Sequence, residues 1–153
     1  MAGSFSISNS PTFAANGGTV NFAAASGNAI NLNSTFTFYN LTFTAGDGNQ
    51  TTVGLGNTLI ATGTTTFADG LVSNLWNSAA IDARGAVTVQ STYDGGDLHL
   101  KFTGTSAQTF TLTGATDKYD GPITIDKASN TVTLASDLVM LTKSRAYSNV
   151  STA

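Results

Sequence analysis

Short segments in which apolar and polar residues alternate run along most of the chain, and this pattern constrains the fold more than any other feature. Leu98, Leu100 and Phe102 alternate with polar residues, and similar segments surround Phe110 and Ile123. A period of two is typical of a β-strand with one buried face. Turn-forming clusters rich in Gly, Asn and Asp separate the segments. The pattern predicts an all-β fold, and residues 71–83 are the best helical candidate.

The composition supports strands and excludes several kinds of chemistry. Only 10% of the residues are charged, against roughly 25% in an ordinary soluble domain. The acidic residues are all Asp, and the good helix formers Glu, Lys and Arg are replaced by Thr, Ser, Asn and Gly. With no Cys, a disulfide scaffold, a Cys-ligated metal site and a Cys nucleophile are excluded. Nine Phe residues allow a buried core.

The chain contains an internal repeat of about 80 residues. Phe22 matches Phe102 at a separation of about 80 residues, and Leu41 matches Ile123 at a slightly larger one. The matched positions are apolar, as expected for a repeated core face. The repeat divides the chain into residues 17–94 and 95–153, of which the second copy is incomplete. We therefore expect one domain over residues 1–153.

Two architectures fit this repeat: a parallel β-solenoid and a tandem β-sandwich. A truncated second copy would leave a sandwich without strands, whereas a solenoid can end after any coil. The strands also recur at intervals of about 10–12 residues with very short turns, as expected for short strands that form the walls of a coil. These features favour a single-domain parallel β-solenoid. At about 20 residues per coil, the chain would form about seven coils.

Residues 107–140, AQTFTLTGATDKYDGPITIDKASNTVTLASDLVM, resemble the repeats of large bacterial and phage-like extracellular surface proteins. Residues 38–43, FYNLTF, are the same element in the first copy. The resemblance covers about two-thirds of the chain, and residues 64–84 and 144–153 depart from it. It implies a β-helical module of an adhesin, autotransporter passenger or fibre, with a structural or adhesive role and no catalytic residue.

Few residues are candidates for chemistry. His99, the only histidine, lies on the polar side of a strand beside Lys101, which is typical of a surface residue. The pairs Asp94/Asp97 and Asp117/Asp120 are the calcium candidates, and paired carboxylates also occur in glycosidases. Both pairs lie in turn signatures, where Asp side chains accept backbone hydrogen bonds. We therefore predict no catalytic residue, metal or cofactor.

Two further patterns bear on function. Thr-x-Thr elements begin at Thr35, Thr64, Thr109 and Thr131, and an aligned row of Thr on a flat solenoid face can order water on ice. The intervals between these elements are irregular, which argues against a single aligned ladder. Lys127 could form an isopeptide crosslink, but there is no Glu to assist it and the residue lies in a turn-like segment.

These observations predict a non-catalytic structural module of an extracellular, cell-surface or virion fibre protein, part of a longer exported chain and a candidate for self-assembly. The alternatives are an adhesive module that binds glycan, ice or a host surface and, more distantly, a carbohydrate-active β-helix enzyme. Self-association through solenoid ends or neighbouring repeats is the expected partnership. Nucleic acid is not expected as a partner because the pI is about 4.6 and basic residues do not cluster. No apolar run is long enough for a membrane span.

Overall fold

The computed structural model describes residues 5–7, 16–23, 27–32, 35–54, 56–74, 79–114, 119–138 and 148–149. Within these ranges the chain forms strands and turns and contains no helix. The strands are β1 (Phe5–Ile7), β2 (Thr19–Phe22), β3 (Asn28–Leu32), β4 (Phe36–Phe38), β5 (Asn40–Thr44), β6 (Gln50–Val53), β7 (Thr58–Ala61), β8 (Thr65–Asn74), β9 (Ala80–Ala83), β10 (Val87–Val89), β11 (Tyr93–Gly95), β12 (His99–Phe102), β13 (Gln108–Leu112), β14 (Ile123–Ile125), β15 (Val132–Leu134) and β16 (Ser148–Asn149).

The strands stack into three parallel sheets, which we call walls 1, 2 and 3. Wall 1 contains β2, β5, the first part of β8, β10, β13 and β15. Wall 2 contains β1, β3, β6, the second part of β8 and β11. Wall 3 contains β4, β7, β9, β12, β14 and β16. Every strand pair in the described ranges is parallel, so the chain is a parallel β-solenoid and the tandem-sandwich alternative is not supported.

Each coil passes through the walls in the order 1, 2, 3. Leu59 pairs with Ile81 and Phe5 pairs with Ile30. A coil therefore takes about 22–25 residues, within the usual range for one repeat of a solenoid. Within the described ranges, four coils pass through all three walls as strands: β2–β4, β5–β7, β8–β9 and β10–β12. The predicted number of about seven coils is therefore not confirmed.

One corner of the solenoid lies inside a continuous strand. The start of β8 pairs with wall 1 neighbours and residues 71–74 pair with β6 in wall 2. Gly70 makes this bend with a φ of 72°, a left-handed conformation that suits glycine. Residues 71–83, the best helical candidate of an otherwise all-β prediction, are not helical where the structure describes them, because Leu71–Asn74 belong to β8 and Ala80–Ala83 form β9. Apolar residues are close together there because alternate positions of two strands face one core.

The core is a column of aromatic and aliphatic side chains enclosed by the three walls. Phe43 stacks on Phe22 and on Phe67, with ring centroids 5.6 and 5.5 Å apart. The rings of Tyr93 and Tyr119 contact Phe67 at 5.2 and 5.4 Å and continue the column into later coils. Parallel pairing places like residues above one another, so a period-two pattern in sequence becomes a continuous apolar stack in space.

The division of the chain into two copies stays a prediction. Phe22 and Phe102, which match in sequence, are both buried. Phe22 lies in β2 of wall 1, whereas Phe102 lies in β12 of wall 3. The offset between the two copies is therefore not a whole number of coils, although it preserves the inward orientation of both side chains.

Candidate functional site

The outer face of wall 1 carries a row of aligned threonines. Thr42 pairs with Thr66, Thr66 with Thr88, and Thr88 with Thr111. We call these four residues the threonine column. Their strand neighbours point into the core, so the four side chains face outward and each is half-buried by the residues beside it. Among the described residues, no hydrogen bond to protein occupies the hydroxyls of the threonine column.

A second row of outward side chains lies on the same wall, two residues before the threonine column in each strand, and its residue types are more varied. Thr109 pairs with Thr133, and Asn40 pairs with Thr19. The amide of Asn40 donates to the Thr19 hydroxyl at 3.2 Å and its oxygen accepts from the Thr64 hydroxyl at 3.0 Å. The Asn40 side chain in this row is therefore fixed by neighbours in both adjacent coils.

The Thr-x-Thr elements do not form one aligned ladder, as their irregular spacing indicated, but an aligned column does exist on wall 1 with other threonines in it. Thr35 and Thr37 adjoin or lie in β4 on wall 3, whereas Thr66 and Thr111 lie on wall 1. The intervals between the Thr-x-Thr elements were therefore measured between residues that lie on different walls. Thr42 and Thr88, which stand outside the Thr-x-Thr elements first considered, complete the column because pairing register places them there.

Three of the four predicted calcium candidates lie together, while Asp117 is outside the described residues. Asp94, Asp97 and Asp120 line a cavity of about 250 Å³ beside wall 2. The carboxylate of Asp94 accepts a hydrogen bond from the Gly48 backbone at 3.0 Å. Asp97 accepts one from the Asn74 backbone at 3.1 Å. Both carboxylates therefore hold the backbone of other coils, as expected for turn aspartates.

A second acidic group was missed by the sequence reasoning. Asp47, Asp69 and Asp94 come from three successive coils, and one carboxylate oxygen from each lies within 4.8 Å of the others. Asp69 accepts a hydrogen bond from the Gly70 backbone at 2.8 Å. Calcium takes 6–8 oxygen ligands, and the hydrogen bonds to Asp69 and Asp94 support a structural role for these turns. Asp47, Asp69 and Asp94 are separated in the sequence by intervals close to the length of one coil, and this spacing is the signal that could have grouped them.

His99 lies on the outer face of wall 3, as predicted. Its Nε2 lies 2.8 Å from the Thr124 hydroxyl, in the neighbouring coil. Burial lowers the pKa of His99, and the nearby Lys101 ammonium lowers it further. The neutral imidazole is therefore favoured in the fold, and the residue is a structural contact between coils.

The low pKa of His99 predicts a pH dependence of stability. Between its folded pKa and its ordinary value near 6.5, the unfolded chain binds more protons, so stability rises with pH. We expect urea midpoints measured between about pH 5 and 8 to fall as the pH is lowered through the ordinary pKa. The His99→Gln protein should lose this component of the slope while keeping an amide that can contact Thr124. An unchanged pH slope in His99→Gln would contradict the prediction.

Lys127 lies in the irregular segment between β14 and β15, as its turn-like sequence indicated, but its burial was not predicted. The side chain is buried, and its Nζ donates to the backbone oxygens of Gly104 and Ser106 and to the side-chain oxygen of Gln108. Desolvation by burial lowers the pKa of Lys127. Gln108 in turn donates to the carbonyls of Ala83 and Gly85. The two side chains thus satisfy backbone oxygens at one corner of several coils.

The described part of the chain defines a three-walled parallel β-solenoid with an uncharged threonine face and an acidic edge. Comparison with protein-family models, curated proteins and solved structures gives no match. The resemblance to surface-protein repeats therefore stays a prediction. In the described ranges there is no helix long and apolar enough to cross a membrane.

Proposed function

We propose that this chain is a non-catalytic structural module of an extracellular surface or fibre protein, which extends and self-associates through the end of its solenoid. The observation that carries the proposal is an apolar surface that stays exposed at β15, the last described strand of wall 1, beside Ile125 of wall 3, beyond which β16 pairs. Leu134 continues the inward row of wall 1 above Phe110, and Ile125 continues that of wall 3 above Phe102. Leu134 is 47% exposed and Ile125 is 36% exposed, whereas their counterparts in the preceding coil are buried.

The backbone supports the same proposal. Among the described strands, β15 is the last of wall 1. A terminal strand presents unpaired N–H and C=O groups that another strand can pair with. A further coil, supplied by a longer parent chain or by a second copy, would cover Leu134 and continue the parallel ladder. The low charge of the sequence and its resemblance to surface-protein repeats support an exported location.

The test is a comparison of two lysine variants. Leu134→Lys places a charge in the exposed apolar surface at β15, whereas Tyr39→Lys changes a side chain of similar exposure, 44%, that follows β4 in an early coil. We expect the unmodified protein to form dimers or filaments as concentration rises in light scattering and electron microscopy. Leu134→Lys should weaken this association by about tenfold or more, equivalent to roughly 1.4 kcal/mol, and Tyr39→Lys should not.

Two outcomes would contradict the proposal. One is a strictly monomeric unmodified protein at the highest concentration reached. The other is equal association of the Leu134→Lys and Tyr39→Lys proteins. Circular dichroism of both variants controls for folding.

An adhesive binding module is the second candidate, and the threonine column is the observation that favours it. An enzyme that cleaves carbohydrate is less well supported, because Asp94 and Asp97 already hold backbone donors of other coils. The enzyme alternative is tested by assaying the unmodified protein and the Asp120→Asn variant on insoluble and soluble polysaccharides. It predicts cleavage by the unmodified protein that the variant loses.

A further inference from the structure

The outer face of wall 1 differs from the outer face of wall 3 in charge. Along β2, β5, β10, β13, β15 and residues 65–68 of β8, the described outward side chains are Thr, Asn and Ala, and none is charged. Wall 3 carries Asp82, His99 and Lys101 on its outer face, and Arg84 follows β9. Strand propensity explains threonine on any solvated sheet face, but it does not explain why one wall has no charge.

The threonine column repeats regularly along the solenoid axis, and in some coils a second threonine lies beside it on the same strand. Successive coils repeat at about 4.8 Å along the axis, and alternate residues of a strand repeat at about 6.7 Å across it. Thr64 and Thr66, and likewise Thr109 and Thr111, give neighbouring outward hydroxyls within single coils. The face therefore presents a column of hydroxyl and methyl groups that widens to two threonines in the coils of Thr66 and Thr111.

The chemistry of this array suits ordered water. A hydroxyl both donates and accepts hydrogen bonds, and the threonine column has its hydroxyls free of protein partners among the described residues. Methyl groups between the hydroxyls restrict the orientation of adjacent water. Charged groups, which hold their own hydration shells, are absent from the described face.

We infer that the outer face of wall 1, centred on the threonine column, binds the surface of an ice crystal. The ligand is a neutral, repeating lattice of hydrogen-bonding groups, which matches the neutral, repeating array of the face. This binding is separate from self-association, because it uses the side of the solenoid and not its end.

The test replaces one threonine in the middle of the column. Thr88→Tyr places a large ring over the array, and Thr37→Tyr makes the same change on the outer face of wall 3. Thermal hysteresis and ice recrystallisation are measured for both variants and for the unmodified protein. We expect Thr88→Tyr to require about tenfold more protein for the same effect, equivalent to about 1.4 kcal/mol of lost interaction. Thr37→Tyr should match the unmodified protein, and melting curves check that both variants fold.

Three results would overturn the inference. The first is that the unmodified protein affects ice growth no more than an inert protein does. The second is that Thr37→Tyr loses as much ice activity as Thr88→Tyr. Selective depletion by insoluble glucan or chitin, without an effect on ice, would assign the face to polysaccharide. The Leu134→Lys protein keeps the threonine column, so retained ice activity in this variant would separate the inference from self-association.

Discussion

Alanine at Gly85 is expected to destabilise the solenoid by about 3 kcal/mol, the upper end of the range of about 1–3 kcal/mol that is typical of overpacking, because the clash is with backbone. A Cβ built on Gly85 would lie against the backbone carbonyl of Gly63 in the preceding coil, closer than nonbonded atoms approach. The Gly85 carbonyl also accepts a hydrogen bond from Gln108 at 2.9 Å. Relief of the clash must move one coil away from another, which would disturb this bond as well.

Gly18→Ala is the matched control for Gly85→Ala. Neither glycine has a positive φ, and a Cβ on Gly18 would meet nothing within 4 Å. The Gly18→Ala variant should change the free energy of unfolding by less than about 1 kcal/mol, because the substitution changes only the entropy of the unfolded chain. Urea denaturation followed by circular dichroism measures both variants. Similar midpoints for the two would contradict the close contact between Gly85 and Gly63.

Removal of the Phe67 ring is expected to cost about 3–5 kcal/mol, as for other fully buried Phe residues. Phe67 is fully buried in the middle of the aromatic column, where it stacks on Phe43 with an interplanar angle of 13°. It also contacts Tyr93 and Tyr119. The Phe67→Ala variant therefore loses apolar burial and several ring contacts at once. For a chain of this length, the melting temperature should fall by about 10 °C or more.

Two variants test whether the Phe67 effect depends on burial and ring packing. Phe67→Leu fills most of the space and should cost about 1–2 kcal/mol. Leu134→Ala removes an apolar side chain that is 47% exposed, so its effect should be the smallest. Scanning calorimetry measures the order of thermal stability of Phe67→Ala, Phe67→Leu and Leu134→Ala. A Phe67→Ala protein as stable as Leu134→Ala would contradict the central place of Phe67 in the core.

The sequence predicted the local elements well because each depends on near neighbours. The alternation around Leu100, Phe110 and Ile123 predicts β12, β13 and β14, which the structure confirms. The parallel solenoid was also predicted, because the second repeat copy is incomplete and the short strands recur at close intervals with very short turns. The helical candidate at 71–83 failed because spacing alone does not distinguish a helical stripe from two strands that face one core.

The surfaces were less predictable because they depend on pairing between coils. The step along the chain from Thr42 to Thr66 is longer than the step from Thr66 to Thr88, although both are single steps between paired strands. A motif search with one fixed spacing misses such a column, since the turns of different coils differ in length. The acidic group that includes Asp47 and Asp69 was missed for the same reason. The burial of Lys127 was not predicted, because local sequence does not show that Gln108 and two carbonyls surround its ammonium.

The direction of the main-chain hydrogen bonds has a mechanical consequence. In the described walls these bonds run along the solenoid axis, coil to coil, as between β5, β8 and β10. A pulling force on the two ends of the stack would load only the bonds of one terminal coil at a time. The module would then yield by peeling from an end, and each coil would release a length on the order of 75 Å. A sideways load would instead be shared by many coils, so the same molecule would be stiff in bending and extensible under tension.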